Sequence, residues 1–562
     1  MPSFFVTMES MPLTSNGKLD RKALPKPDGD RPALESGYVA PSTNAEQALV
    51  AIWEEVLNVR PIGVHDNFFS LGGDSIRSIR VRAFAEKQGI RFAVKDLFQH
   101  ATVHELSRVA SAGDVAPLIR LGPLALLAES DRTRIAAIPE IEDAFPVTKM
   151  QGGMLFHMAL EPESAVYHNL NTFNIETDLQ LALFRETLAR CAARHEMLRT
   201  SFDLTSFSEP LQLVHRAATI PFAAVDFSQL PAGEQDVAWS AWVASEKMNK
   251  FDFRNPPLAR VTAVFFGGDA WRITLTEHHA IMDGWSVASL MTEVFATYFA
   301  LVRGEAPASE PIAASNADYV ALERAALESD EHRAWFAKVL DEVVALPVAG
   351  WNALWQVEEA AGMKTHRVLL PVEVSDSLRT LARGLGVPIK SIALAAHLSV
   401  LALFTANRDV TTGYVTNGRP ETADGERLLG LFLNTLPVRA RTGVGTWRDL
   451  IADVFAYEQQ LMTRRHYPFA QLQKERGGAP LFHTVFNYIH FHVYQQLASI
   501  REMNLTGGTF FEETNFELST IFGVDPTGSR MMVTLEYDSA VFASAQIDAI
   551  GRAYLEAFET IT

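Results

Sequence analysis

The spacing of apolar residues divides the chain into a short helical region and a much longer mixed region. In the short region, the capping-box pattern of residues 43–46 precedes apolar residues at helical spacing, which are Leu49, Ile52, Trp53 and Val56. A loop leads to a second helical stripe over residues 76–83, and residues 97–106 indicate two further short helices. A helical unit of about 75 residues is small but can fold alone.

The longer region mixes strand and helix patterns. Apolar alternation predicts strands at Arg260–Phe266, Trp271–Thr276 and Thr365–Leu370. Helical spacing predicts helices at Leu181–Arg194, Ser286–Leu301 and Asp330–Leu346. Because about 420 residues exceed one comfortable core, we expect two lobes that divide near residue 310.

These patterns predict five consecutive segments. Residues 1–32 form a polar tail and linker rich in turn formers, and residues 37–112 form the helical domain. Residues 113–138 are a connector broken by glycine and proline. The first lobe is expected at residues 139–310 and the second at residues 311–562.

Composition narrows the class of protein. Of 562 residues, 48% are hydrophobic and 21% are charged, which is typical of a folded protein. The net charge of -18 disfavours nucleic-acid binding, because an acidic surface repels phosphate backbones. The longest apolar stretch, Ser391–Ala406, is shorter than the roughly 20 residues of a membrane span and contains His397. It predicts a buried helix, so no membrane contact is expected.

Cysteine use and the N-terminus bear on location. The single cysteine, Cys191, excludes a disulfide framework and a cysteine-based metal site. The opening residues lack the basic start and long apolar run of a secretory signal. A cytoplasmic location is therefore expected.

The segment LGGDSIRSIR places Ser75 after two glycines, at the start of an amphipathic helix. The glycines permit a tight turn and leave the hydroxyl accessible. A helix N-terminus also favours a phosphate group, because its N–H groups and dipole stabilise negative charge. Ser75 is thus a candidate for a phosphodiester, and the alternative is that it merely caps the helix.

In TLTEHHAIMDGWS, a predicted strand delivers His278 and His279 to a turn that Asp283 and Gly284 close. A histidine at a strand end can act as a general base, because its pKa lies near working pH. Two adjacent histidines point in different directions and no third ligand follows nearby, so we predict no metal site. The other interpretation is a hydrogen-bonded histidine pair in the core.

The segment DNFFSLGGDSI, inside a helical unit of this size, resembles the peptidyl carrier domains of nonribosomal peptide synthetases. The resemblance implies that a phosphopantetheinyl transferase attaches 4'-phosphopantetheine to Ser75 and that a thioester on this arm holds the donor. It also suggests Ile76 and Ile79 as docking residues, although a core role fits them equally. Asp74 stands where many such carriers have histidine, and the aspartate form is often found before epimerisation domains.

The segment HHAIMDG resembles the HHxxxDG signature of condensation domains from the same synthetases. Further segments match the family's motifs in order: FPVTKMQGGMLFH (145–157), RHEMLRTSF (194–202), GLFLNTLPVR (430–439), HYPFAQL (466–472) and APLFHTVFNY (479–488). The implied fold is multidomain. An all-α four-helix carrier precedes an α+β domain whose two lobes resemble chloramphenicol acetyltransferase and form a V around a tunnel.

The resemblance also extends to the polar tail of residues 1–32. PLTSNGKLDRKALP is similar to the end of an adenylation domain, so residues 1–32 are expected to be the remnant of one. Lys18 matches that domain's lysine. We expect Lys18 to be inert, because the ATP and substrate pocket of the upstream adenylation domain is missing.

The resemblance further implies a reaction. A downstream acceptor carrier brings an amine, which attacks the thioester on the Ser75 arm and forms a peptide bond. His279 either removes a proton from the amine or orients it and stabilises developing charge. Asp283 supports the fold with Arg199 as its expected salt-bridge partner, while His278 and Gly284 shape the loop.

Other activities remain open at this point. Asp74 motivates an epimerising domain, whereas GLFLNTLPVR follows the condensing pattern. Ester formation would use the same residues, and a non-catalytic recruitment platform is a further alternative. Cyclising relatives replace the histidines with an aspartate pair, which disfavours that activity.

Overall fold

The computed structural model describes most of the chain. The described residues are 37–110, 121–160, 166–307, 310–345, 347–348, 362–422, 424–489, 500, 502–511, 516–525 and 530–562. Lys18 and the rest of the predicted tail lie outside this set.

The helical domain contains four helices, as the sequence predicts. They are α1 (Asn44–Leu57), α2 (Ser75–Lys87), α3 (Val94–Gln99) and α4 (Val103–Val109). Thr43 and Glu46 form the predicted capping box of α1. Trp53 is fully buried and packs its ring edge-on against Phe68, with centroids 5.1 Å apart. A single apolar core therefore holds the domain together.

The rest of the chain adds twelve helices and fourteen strands among the described residues. The helices are α5 (Glu129–Ala136), α6 (Lys149–Leu160), α7 (Leu181–Arg194), α8 (Ala232–Met248), α9 (Gly284–Val302), α10 (Asn316–Glu328), α11 (Asp330–Val339), α12 (Val372–Leu385), α13 (Ile389–Thr405), α14 (Trp447–Met462), α15 (Phe469–Glu475) and α16 (Ser544–Ile561). The strands of the first lobe are β1 (Ile141–Pro146), β2 (His168–Glu176), β3 (Thr200–Asp203), β4 (Leu211–His215), β5 (Phe222–Asp226), β6 (Ala259–Gly267) and β7 (Ala270–His278). The later strands are β8 (Met363–Leu369), β9 (Asp409–Asn417), β10 (Leu433–Arg441), β11 (Thr484–Tyr488), β12 (Asn504–Phe511), β13 (Leu518–Val524) and β14 (Met531–Asp538).

Three sheets organise these strands. The second lobe has a six-stranded sheet in the order β10-β9-β11-β13-β14-β8, and the first lobe has a small sheet in the order β1-β4-β3. The largest sheet of the first lobe has the order β12-β2-β7-β6-β5. Its edge strand β12 comes from late in the chain and pairs antiparallel with β2. One strand therefore crosses from the second lobe into the first.

Helix α10 lies at the boundary between the two lobes. Helix α10 packs Ala317 and Val320 against Phe145 and Val214 of the small first-lobe sheet. Phe336 of α11 instead lies in the core of the second lobe. The division near residue 310 stays a prediction, because α10 contacts both lobes: Ala326 at its other end lies in the second-lobe core.

The connector also contains more structure than predicted. Within residues 121–138, α5 begins at Glu129, and its Ile135 packs with Leu127 and Ile141. This cluster anchors the end of the connector to the small sheet.

Most predicted elements are confirmed, with one clear difference. The predicted helix at Leu181–Arg194 is α7, the predicted strands at 260–266 and 271–276 lie within β6 and β7, and the apolar stretch 391–406 is the buried α13. The helix predicted to reach Leu346 ends at Val339, where Leu340 turns into the second-lobe core.

One helix among the described residues, α9, is long and apolar enough to cross a membrane by length and composition. Most of α9 is buried in the first-lobe core. Helices α12 and α13 pass the same test only together, across a sharp bend.

The crossing strand β12 can be tested at Gly508. A Cβ at this position would lie 2.7 Å from the carbonyl oxygen of Thr172 on β2. We expect Gly508→Ala to cost about 1–3 kcal/mol and to release β12, because backbone atoms must move apart. Hydrogen exchange should show faster exchange at residues 504–511. Gly153→Ala is the matched control, since its Cβ would meet no atom within 4 Å. Unchanged exchange in Gly508→Ala would contradict the prediction.

Candidate active site

The end of β7 places His279 at a fixed point of the first lobe. His278 on β7 pairs with His168 on β2, and the next residue donates its backbone N–H to the carbonyl of Tyr167 at 2.8 Å. The Nδ1 atom of His279 lies 2.9 Å from the carbonyl oxygen of Met282. Because a carbonyl can only accept, Nδ1 carries the proton, and Nε2 is the basic nitrogen of the neutral ring.

His278 has the surroundings of a core histidine. Its Nδ1 accepts the N–H of Ala280 at 3.2 Å, and its side chain is buried. Burial and the neighbouring ring of His279 lower the pKa of His278 to about 3. His278 is therefore neutral, and its contacts hold the turn that carries His279.

Asp283 is the N-cap of α9, which begins at Gly284. Its Oδ1 accepts the N–H of Ser286 at 2.8 Å and lies 2.7 Å from a guanidinium nitrogen of Arg419. Both members of this ion pair are fully buried. Asp283 thus joins the turn of residues 279–283, the histidine turn, to a segment that follows β9.

The predicted partner of Asp283 is wrong. Arg199 donates to Glu142 at 2.8 Å and to the carbonyl of His215, near the start of β1 and the end of β4. The short 3-10 helix of residues 196–199 directs this side chain toward β1 and β4. Arg419 pairs with Asp283 instead, because the segment after β9 crosses to the first lobe.

Arg419 holds the segment 419–430 together, beyond its contact with Asp283. Its guanidinium donates to the hydroxyl of Ser286 at 2.6 Å and to the carbonyls of Gly425 and Leu428, and it lies 4.5 Å from the ring centroid of Phe432. The sequence patterns described above do not single out this residue. The signal that could have found it is an arginine between glycine and proline in TNGRP, directly after a strand.

Gly430 allows the segment to approach the first lobe closely. Its carbonyl accepts the N–H of Asp283 at 3.0 Å and the hydroxyl of Ser286 at 2.9 Å. A Cβ on Gly430 would lie 2.2 Å from Oδ1 of Asn316. The neighbouring Leu429 and Leu431 belong to the first-lobe core.

Ser75 is the first residue of α2, and Asp74 is the cap of that helix. The Oδ1 atom of Asp74 accepts the N–H groups of Ile76 and Arg77 at 2.9 and 2.8 Å. Asp74 therefore performs the capping role that Ser75 was alternatively expected to have. The preceding turn needs glycine, since a Cβ on Gly73 would lie 2.3 Å from the ring of Phe68.

The start of α2 faces the second lobe. Burial raises the pKa of Glu426 to about 7 and that of Tyr488 to about 12, and the charge of Asp74 contributes to both shifts. The carbonyl of Glu426 accepts the indole N–H of Trp285 on α9 at 3.0 Å. Glu426 of the segment 419–430 thus interacts both with Asp74 at the start of α2 and with Trp285 at the start of α9.

Neutral contacts add to the interface between the helical domain and the second lobe. Phe69 packs edge-on against Phe455 of α14 with centroids 5.8 Å apart. Gln459 of α14 donates to the carbonyl of Phe98 at 2.8 Å. The hydroxyl of Ser70 donates to the carbonyl of Arg383 at 2.9 Å.

No group of three or more histidine, cysteine, aspartate or glutamate residues is arranged as a metal site within the described part of the chain.

Comparison with protein families assigns both parts of this arrangement. Residues 47–110 match the model of the phosphopantetheine attachment site, and residues 141–562 match that of the condensation domain. The chain belongs to the condensation-domain family. The helical domain is its carrier domain and carries a phosphopantetheine attachment site.

Curated relatives are synthetases or synthases by name. The chain is 34% identical to AMB antimetabolite synthetase AmbE of Pseudomonas aeruginosa, over 99% of this chain and 26% of that protein. It is 28% identical to tyrocidine synthase 2 of Brevibacillus parabrevis, over 100% of this chain and 15% of that protein. The chain thus spans about a quarter or less of these relatives.

Solved structures share the fold of the condensation domain. The first condensation domain of the calcium-dependent antibiotic synthetase superposes with a TM-score of 0.60 at 19% identity, covering 74% of this chain and 95% of that one. The starter condensation domain of rhizomide synthetase gives a TM-score of 0.61 at 18% identity, covering 75% and 96%. The expected α+β condensation fold behind a helical carrier is confirmed.

The buried pair can be tested by removing its cation. Arg419→Ala leaves the carboxylate of Asp283 buried without its partner, so we expect a loss of about 3–5 kcal/mol in unfolding free energy of the condensation domain. Urea denaturation followed by tryptophan fluorescence would measure it. Arg199→Ala is the control and should cost less, because its partner Glu142 is about one-third exposed. Equal losses in the two variants would contradict the assignment.

The stability of the folded chain should depend on pH through Glu323 of α10. Its carboxylate accepts the N–H of Lys149, the first residue of α6, at 2.9 Å. Gln151 of the same helix α6 donates to the carbonyl of Ala280, beside the histidine turn. Burial raises the pKa of Glu323 to about 7. Between the unfolded pKa near 4.5 and this value, the folded state binds more protons, so stability falls as pH rises through this range.

We therefore expect Glu323→Gln to reduce the loss of stability between pH 4.5 and 7, because glutamine does not ionise. Urea midpoints at several pH values would show this. Glu328→Gln, at the end of the same helix, should leave the dependence unchanged. An identical pH dependence in wild type and Glu323→Gln would refute the prediction.

Proposed function

We propose that this chain transfers a donor acyl group from Ser75 to the amine of an acceptor aminoacyl thioester and so forms a peptide bond. The observation that carries the proposal is that the segment 419–430 contacts the histidine turn and also lies near the start of α2, where Ser75 is. This segment holds Asp283 of the histidine turn through Arg419, and its Glu426 lies near Asp74 at the start of α2.

The carrier domain suits 4'-phosphopantetheine on Ser75. Gly73 keeps the turn before α2 narrow, and α2 begins at the attachment residue. Asp74 already accepts two of the first N–H groups of the helix, so Arg77 is the neighbouring cation that would balance the phosphate charge. When bound, this group supplies a flexible arm and a thioester that activates the acyl carbon.

The contact of His279 with the carbonyl of Met282 supports this reaction. With Nδ1–H held by the carbonyl of Met282, Nε2 can accept a proton from the acceptor ammonium or amine. The same atom can instead orient the amine and stabilise developing charge. In the overall reaction a C–N bond forms, the C–S bond breaks, and the proton lost by nitrogen ends on the sulfur.

Holding the thioester and the amine together supplies much of the rate acceleration of the transfer. A thioester is already activated and a neutral amine is a fair nucleophile, so holding the two in register can contribute on the order of 7–11 kcal/mol. The docked carrier fits this role, because the contacts of Phe69, Ser70 and Phe98 hold the domain that carries Ser75 against the second lobe. Asp283, Gly284 and His278 then act through the turn that holds His279.

The partners follow from the reaction. We infer that a downstream carrier brings the acceptor, that an adenylation domain upstream loads the donor, and that a phosphopantetheinyl transferase modifies Ser75. The chain is inferred to act in the cytoplasm without nucleic acid or membrane.

The cap geometry bears on the epimerisation alternative. Asp74 has a structural use that is independent of the downstream domain, because its carboxylate binds the first N–H groups of α2. This contact weakens the argument for epimerisation from Asp74 alone. Ester formation and a non-catalytic platform remain the outcomes to test against.

The test loads the Ser75 arm with an aminoacyl group and supplies a soluble aminoacyl thioester as acceptor. We expect wild type to form the dipeptide and His279→Ala to slow transfer by about 100-fold or more, since a proton-transfer group typically contributes this much. Mass spectrometry of the carrier and of the product would follow both reactants. Ser75→Ala should gain no phosphopantetheine mass.

Matched controls keep the test specific. His366→Ala removes a histidine that pairs with Asp548 in the second lobe, and Ser107→Ala removes a hydroxyl on α4 of the same carrier. Both should behave as wild type. Unchanged transfer in His279→Ala would overturn the catalytic assignment, and α-proton exchange on the donor without transfer would favour epimerisation.

A further inference from the structure

One carboxylate lies between the carrier domain and the second lobe. An Oε atom of Glu421 accepts a guanidinium N–H of Arg82 at 3.1 Å and the backbone N–H of Val94 at 3.3 Å. The carbonyl oxygen of Glu421 accepts the same guanidinium at 2.6 Å. Glu421 therefore contacts α2 and the first residue of α3 at once.

Glu421 is held as a charged group. Its other carboxylate oxygen lies 2.7 Å from a guanidinium nitrogen of Arg465, so two cations share one anion. Burial alone would raise the pKa of Glu421, but the charges of Arg465 and Arg82 lower it below its usual value. The side chains of all three residues are largely buried, and salt therefore screens their attraction little.

The carrier side of this contact is rigid. The Nε atom of Arg82 donates to the carbonyl of Phe92 at 3.0 Å, which fixes the guanidinium against the loop before α3. Because Glu421 binds two elements of the carrier, it restrains rotation of the carrier as well as its distance from the lobe. A neutral ring contact such as Phe69 with Phe455 adds contact area with less directional constraint.

Because Arg82 lies on α2, its contact with Glu421 also sets the position of the start of this helix relative to the second lobe. Arg82 and Ser75 are seven positions apart on this helix, which corresponds to about 10 Å along the helix axis. At the start of α2, the charge of Asp74 helps to raise the pKa of Glu426 and that of Tyr488 in the second lobe. A rotation of the carrier about the lobe would move Ser75 away from this place.

We propose that Glu421 is a positioning residue that selects the donor carrier through Arg82 and orients α2, so that the helix begins beside the segment next to the histidine turn. This inference rests on the proposed function, because it assigns the docked arrangement to donor delivery. The expected consequence is selective. Loss of the pair slows transfer from the arm on Ser75 but spares transfer from a soluble donor.

The experiment compares two donors in four variants of the whole chain. The tethered donor is an aminoacyl group on the Ser75 arm, and the soluble donor is the same aminoacyl group as its N-acetylcysteamine thioester. We expect Arg82→Glu and Glu421→Lys each to slow tethered transfer by about tenfold or more, because each places like charges together in a buried contact. Transfer from the soluble donor should change by less than about twofold, because that donor does not depend on how the carrier docks.

Exchange of the charges provides the rescue. The double variant Arg82→Glu with Glu421→Lys keeps the total charge of the triad and allows Glu at position 82 to face both Lys at position 421 and Arg465. We expect it to recover a substantial part of the tethered rate. Arg60→Glu is the matched control, since Arg60 is an exposed carrier residue that pairs with Glu54 away from the interface. Equal phosphopantetheine loading in every variant verifies that the carrier is folded.

A second readout separates this inference from the proposed function. Small-angle X-ray scattering should show a more open arrangement in each single variant and a compact one in the double variant. If wild type transfers neither donor but scattering follows this pattern, the proposed function fails and the docking role of Glu421 stands. Unchanged tethered transfer in both single variants, or an equal loss with the soluble donor, would overturn the positioning role.

Discussion

The buried ion pair between Asp283 and Arg419 is the contact on which the arrangement of this protein depends. Two opposite charges without exposure to water must satisfy each other, and their remaining hydrogen-bonding atoms need further partners. Ser286 and nearby main-chain groups supply partners for the two terminal guanidinium nitrogens and for the carboxylate. The pair therefore fixes the histidine turn, the start of α9 and the segment after β9 in one geometry.

This constraint explains how parts of the chain far apart in sequence act together. The segment 419–430 belongs to the second lobe by its strands, yet Leu429 and Leu431 pack in the first-lobe core. Strand β12 also crosses from the second lobe to the first, where it forms the edge of the five-stranded sheet. The carrier domain then docks on Glu421, in the same segment as Arg419. A carrier, a turn with the expected catalytic histidine and both lobes thus share one short length of chain.

Local features of this fold were predictable from the sequence. The capping box at Thr43, the helix at 181–194 and the strands β6 and β7 follow from patterns within a few residues, and the structure reproduces them. The features that were wrong depend on distant contacts. Arg199 and Arg419 are both arginines near apolar segments, and only the crossing of the lobes decides which one meets Asp283. The packing of α10 on both lobes depends on distant contacts in the same way, because nothing within α10 shows which sheet covers each part of its apolar face.

The candidate site follows the same distinction. The sequence placed His278 and His279 at a strand end but could not assign their separate surroundings. The ring of His278 is neutral within the core and supports the turn, whereas the carbonyl of Met282 sets the tautomer of His279. That carbonyl belongs to the residue before Asp283, so the pair with Arg419 also fixes the atom that orients His279. Asp283 therefore bears on the orientation of the His279 ring through the backbone, since it follows the residue whose carbonyl contacts Nδ1. The ion pair with Arg419 and the orientation of the imidazole are therefore coupled through the few residues of one short turn.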